Sequence, residues 1–144
     1  MGKRRVSKIS GGGGDRGRRD RALSRVPKKK LEKGVLHIES TFNNTRVTLA
    51  DPKGNVFMWS SAGAMGFSGT RKSTPFAAAK VGEVIGEKAL SMGMKEAEVF
   101  VKGIGSGRES ALRSFAGKGI EINAVHDVTP IPHNGPRRPR PRRV

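Results

Sequence analysis

From Gly34 onward the chain alternates. Leu36, Ile38 and Phe42 fall on one parity and His37, Glu39 and Thr41 on the other, the two-residue period of a strand with one buried face. Thr45 to Ala50 repeats the pattern with Val47 and Leu49 on one side, and Asn43-Asn44 between the runs predicts a tight turn, since Asn tolerates positive φ. Asp51-Pro52-Lys53-Gly54-Asn55 predicts a second turn, into a third strand over Val56-Phe57-Met58-Trp59-Ser60 that completes an antiparallel meander. Trp59 is the only tryptophan, and its place in a strand predicts a core position rather than stacking on a base.

The period then lengthens. Ala78, Val81, Ile85, Ala89 and Met92 recur every three or four residues while Lys80, Glu83 and Glu87 fall elsewhere, which predicts an amphipathic helix. Ser73 or Thr74 can cap its start, Pro75 suits its first turn and Gly93 suits its end. Gly82 and Gly86, four apart, predict a flat helix face packed closely on the sheet. Ala97 to Val101 reads as a fourth strand, and strand, helix, strand at this spacing implies a crossover that makes the sheet mixed. Beyond a glycine-rich loop a shorter helix carries Ala111, Leu112 and Phe115, Gly117-Lys118-Gly119 ends it, and Ile120 to Val125 reads as a last strand. The fold class is therefore α/β, a five-stranded mixed sheet with two helices.

Charge divides the chain into three parts. Residues 1–33 hold 13 Lys and Arg against 3 Asp and Glu, residues 34–128 hold 11 against 9, and residues 129–144 hold 5 against none. A basic, Gly-rich amino-terminal arm (1–33) and a Pro/Arg-rich tail (129–144) thus flank a nearly neutral α/β body (34–128). Both arms are expected to be disordered until they bind, because they have too little apolar surface to bury. The arm contains Lys3-Arg4-Arg5, the run Gly11 to Gly14, and Pro27-Lys28-Lys29-Lys30. A net charge of +17 and a pI near 11.4 point to a polyanionic partner. The absence of cysteine removes disulfides, thiolate catalysis and cysteine metal sites, and His37, His126 and His133 are too scattered for a metal, so neither metal nor cofactor is expected. No apolar run approaches membrane-spanning length, so no membrane partner is expected.

Three stretches carry candidate chemistry. In Gly63 to Ala79, Gly66 and Gly69 allow close backbone approach, Arg71 and Lys72 supply charge, and Ser73, Thr74 and Pro75 begin a helix whose unpaired amides attract phosphate. The stretch lacks the Gly-Lys-Ser/Thr ending of a nucleotide-binding P-loop. In the second loop, Gly103, Gly105 and Gly107 with Arg108, and Arg113 nearby, suggest a nest of amides for the backbone of a polynucleotide. It is not a dinucleotide site, because Arg108 stands where the third glycine of that pattern belongs. In the tail, Arg137, Arg138, Arg140, Arg142 and Arg143 alternate with prolines that hold the backbone extended and the guanidinium groups outward. A metal-dependent nuclease would need gathered carboxylates, whereas Glu39, Asp51 and Asp127 are spread along the body. A DNA-binding architectural protein would bind duplex DNA and structured RNA equally.

Several motifs resemble one family. Phe42-Asn43-Asn44-Thr45, Gly69-Thr70-Arg71-Lys72-Ser73-Thr74-Pro75-Phe76-Ala77-Ala78, Val101-Lys102-Gly103 with Gly107-Arg108-Glu109-Ser110, and Asp127-Val128-Thr129-Pro130-Ile131-Pro132-His133-Asn134-Gly135 are similar to the small-subunit ribosomal protein family eleven, bacterial type, in unbroken order over about residues 34 to 144. The resemblance implies a ribonuclease-H-like topology without catalysis. It implies binding to small-subunit ribosomal RNA on the platform near the messenger exit side, with Asn43, Asn44, His133 and Asn134 added to the RNA-contacting set. Families eighteen and seven are implied as neighbours, with messenger RNA nearby, no obligate homo-oligomer, and a place in cytoplasmic ribosomes, an organellar ribosome being the alternative. The chain departs from the family pattern where Ile104 and Ser106 replace usual prolines, which predicts a softer second loop. It departs again at Pro136 and Arg138, which stand at a usual cysteine and proline, and in the length of the arm before Lys28.

Overall fold

The computed structural model describes residues 29–143, so the arm's Lys3 to Arg5, its tetraglycine and most of its charge lie outside the described residues. Strands β1 (Lys33–Ser40), β2 (Thr45–Ala50) and β3 (Val56–Ser61) form the antiparallel meander. A short 3-10 helix (Gly69–Ser73) leads into α1 (Pro75–Ser91), followed by β4 (Glu96–Lys102), α2 (Arg108–Ala116) and β5 (Glu121–Asp127). The sheet order is β3-β2-β1-β4-β5, with β4 parallel to both β1 and β5. This is the mixed five-stranded sheet with two helices and the ribonuclease-H-like order expected.

Both helices cover the same face of the sheet. α1 lies on β2 and β3, α2 lies on β1, and the two helices pack against each other. Leu36 and Ile38 of β1, Val47 and Leu49 of β2 and Val99 of β4 are fully buried beneath Val81, Ile85 and Phe115. The opposite face has no helix over it among the described residues, and His37, Glu39, Arg46, Trp59, Lys102 and His126 are exposed there.

Four local expectations are corrected. Trp59 is 59% exposed, because β3 buries Met58 and Ser60 and so turns Trp59 to the open face. Phe42 is also exposed, because β1 ends at Ser40 and the buried slots at that end go to Ser40 and Thr45, whose hydroxyls lie 3.3 Å apart. The turn at Asn43-Asn44 uses no positive φ. Thr41 Oγ1 accepts from both their amides, and the Thr41 amide donates to the Asn44 carbonyl at 2.8 Å. Finally, Gly82 and Gly86 face α2 and the turn after it, not the sheet. A methyl on Gly82 would run into Ser114 Oγ and the Ala111 carbonyl, and one on Gly86 into Lys118. The helix end is as expected: Gly93 takes φ 83, its amide donates to Leu90 and that of Met94 to Ala89, a Schellman closure.

Candidate nucleic-acid interface

The first loop is more ordered than a flexible glycine linker. Ala62 and Met65 are buried in the core, Gly66 takes φ 98, and Gly69 to Ser73 wind into the 3-10 helix, placing exposed Arg71 and half-buried Lys72 on a fixed turn. Thr74 is the N-cap of α1. Its Oγ1 accepts from the Ala77 amide at 3.3 Å and donates to the Arg71 carbonyl at 2.7 Å, so a single hydroxyl joins the cationic turn to the helix start. Ser73 instead donates its hydroxyl to the Thr70 carbonyl, inside the turn. Phe76, just inside the helix, is 63% exposed, edge-on to Phe67 and beneath the Lys80 ammonium.

The glycines of the second loop meet the protein's own backbone. Gly103 takes φ 101 with its Cα against the Ser40 carbonyl, Gly105 lies against Ser40 and Thr41, and Gly107 against Thr45 and Ala78. The Gly105 amide donates to the Ser40 carbonyl at 3.0 Å and the Gly103 amide to Thr129 Oγ1 at 3.1 Å. These two amides are therefore engaged inside the protein, and the glycines serve close packing of the loop on the β1–β2 turn. Ser106 does not soften the loop. Its hydroxyl donates to the Ser73 carbonyl at 2.8 Å and latches the second loop to the first.

Arg108 is held as firmly. One guanidinium nitrogen donates to the Gly103 carbonyl at 2.7 Å and another to Asp127 Oδ2 at 2.6 Å, while Asp127 Oδ1 accepts from the amide and the hydroxyl of Thr129. The Arg108 hydrogen bond, with those from Thr129, holds the Asp127 carboxyl well below the usual carboxylate range. Val128 continues the pairing, donating its amide to the Val101 carbonyl at 2.9 Å. The foot of the tail is thus fastened to the end of β4 by a node that the sequence does not announce. The only hint is an Asp-Val-Thr spacing in which Asp can accept from the amide two residues on.

The remaining candidates stand outside these fastenings. Arg113 lies in the last turn of α2, away from the loop that precedes that helix, and pairs with Glu109 at 3.4 Å where both are largely exposed. Asn43 is exposed, and Asn44 Oδ1 is buried without a hydrogen-bond partner. His133, Asn134 (φ 56), Arg137, Arg138, Arg140, Arg142 and Arg143 are all exposed, and no described carboxylate pairs with the five arginines. The structure therefore brings together Arg71, Lys72, Ser73, Thr74, Ser106, Gly103 and the tail's foot, and leaves Arg113 apart.

The family model described as ribosomal protein S11 matches residues 34–143. The chain belongs to the ribosomal protein S11 family. It is a small-subunit ribosomal protein, part of the ribonucleoprotein that carries out translation, with the RNA-binding role of that family. The S11 match spans every strand from Gly34 of β1 onward, both loops, the Arg108–Asp127 node and the tail arginines. Among the described residues no helix is long and apolar enough to cross a membrane, and no three His, Asp or Glu side chains gather as a metal site would require.

Proposed function

We propose that this member of the family is a structural, non-catalytic component of the small-subunit platform near the messenger exit side, where it binds ribosomal RNA along one continuous band. The observation that carries the reading is the latch between loops. Through the Ser106–Ser73 hydrogen bond and the Arg108–Asp127–Thr129 node, the cationic start of α1, the second loop and the foot of a tail with five exposed arginines form one edge. Arg71, Lys72 and the tail arginines neutralise phosphates there, and the amino-terminal end of the α1 dipole adds positive potential. Arg108 acts on RNA indirectly, by setting where the tail departs.

In this reading residues 34–128 are the body, residues 1–33 and 129–144 are arms that order on RNA, and shape more than base identity selects the site. Ribosomal proteins of families eighteen and seven are its neighbours, messenger RNA passes nearby, and the compartment is the cytoplasm. The test is sedimentation of a lysate from cells expressing the tagged full chain. Cofractionation with small subunits and their precursors is expected, and a chain that stays at the top of the gradient overturns the proposal. Purified protein with Mg²⁺ is expected to leave RNA intact; cleavage that disappears in Glu39→Gln would instead establish a nuclease.

A further inference from the structure

The helix-free face of the sheet carries a groove that meets the RNA-binding band only at the foot of the tail. Three hollows run into one another there. One lies between Arg46, Thr48, Val56 and Trp59; it shares Arg46 and Thr48 with a second, of about 230 Å³, floored by His37 and Phe100. The second shares Glu39 and Lys102 with a third, of about 470 Å³, walled by Ile104, Thr129 and Pro130. Together they cross β3, β2, β1 and β4, three strand spacings or about 14 Å, and end at the foot of the tail.

Its surface is aromatic and cationic. The Arg46 guanidinium lies 5.7 Å from the centroid of the exposed Trp59 ring. His37 stacks on Phe100 at 5.4 Å and Phe100 on His126 at 5.0 Å. Arg46 and Lys102 are the lining cations against one carboxylate, Glu39, which lies 3.9 Å from Arg46; the carboxylate beyond the groove, Glu98, bonds His126 at 2.8 Å. Ile104, 64% exposed, closes the end next to the tail.

We propose that this groove holds a short single-stranded RNA segment, its bases packing on Trp59, the His37–Phe100 pair and Ile104, and its phosphates facing Arg46 and Lys102. The proposal rests on the reading that the chain binds RNA, and adds a second surface with a different mode of recognition. Unpaired bases present flat faces that pack on rings regardless of sequence. A duplex hides those faces. An extended peptide lying across the strands would gain no main-chain pairing, because the sheet's amides and carbonyls are already used by the ladder. RNA binding does not draw on such pairing, and Glu39 provides an acceptor for a base edge.

Because Trp59 is the only tryptophan, its emission reports on the groove directly. Full-length protein is titrated with a short oligouridylate and with an RNA duplex of equal length. The single strand is expected to quench Trp59 saturably, while the duplex leaves emission unchanged even where it occupies the tail. His37→Ala and Ile104→Ala should weaken oligouridylate binding about tenfold with the salt slope intact; Lys102→Ala should lower that slope by about one. Emission that stays constant while a labelled oligouridylate binds overturns the proposal. In assembled small subunits, a photoreactive side chain at position 59 should cross-link to RNA, and the nucleotide reached distinguishes unpaired ribosomal RNA from messenger. A cross-link to a protein or to the chain's own arm, or none, overturns it. A wild-type chain that fails to join small subunits at all is a separate result, and counts against the functional reading.

Discussion

Gly103 sits where the second loop, the end of β1 and the tail meet. Its φ of 101 and its contact with the Ser40 carbonyl leave no room for a side chain, so Gly103→Ala should cost about 1–3 kcal/mol from the backbone conformation alone, read as a lower urea midpoint. Asp127 is the neighbouring test. Its folded carboxyl lies below its unfolded value, so the stabilisation is complete above the ordinary carboxylate range and is lost as pH falls below about 4. The melting-temperature gap between wild type and Asp127→Asn should therefore stay constant from about pH 5 to 8 and close in stronger acid. Residue types and charges at this node are plain in the sequence, but not their assignments. Arg108 looks like a phosphate ligand by composition, and only the approach of residues 19 apart shows that it serves Asp127. The same holds for Trp59, whose exposure depends on the phase of one short strand.

At the scale of elements, Thr74 and Ser106 are the two fasteners. Thr74→Ala removes an N-cap and should cost about 1 kcal/mol; because Thr74 Oγ1 also holds the Arg71 carbonyl, it should in addition loosen the cationic turn, seen as faster amide exchange at residues 70–73. Ser106→Ala loses one hydrogen bond, about 0.5–1.5 kcal/mol, and should leave the core untouched while weakening RNA binding. The elements themselves are legible because periodicity reports burial: every strand and both helices lie within a few residues of where the alternation and the three-to-four spacing place them. What periodicity cannot report is the partner of a flat face. Gly82 and Gly86 announce a close approach, but whether a sheet or a helix comes close is decided by α2, more than 20 residues away. The 3-10 helix over Gly69–Ser73 is likewise invisible, since its order comes from Met65 in the core and from Thr74 behind it.

At the scale of the molecule, the charge is arranged as the functional reading requires. The body is nearly neutral, its acids largely engaged with cations, whereas the tail's arginines face solvent and pair with no carboxylate among the described residues. The tail should accordingly contribute more of the salt-sensitive affinity than the start of α1. Replacing Arg137, Arg138, Arg140, Arg142 and Arg143 by Gln should reduce the slope of log K against log salt by more than the pair Arg71→Gln and Lys72→Gln does. The most direct test of the account is the affinity of the full chain for the platform region of small-subunit RNA, measured across salt concentrations. With six to ten phosphates neutralised, affinity should fall by about 10³ to 10⁵ between 50 and 200 mM salt; an affinity that stays constant over that range would contradict it.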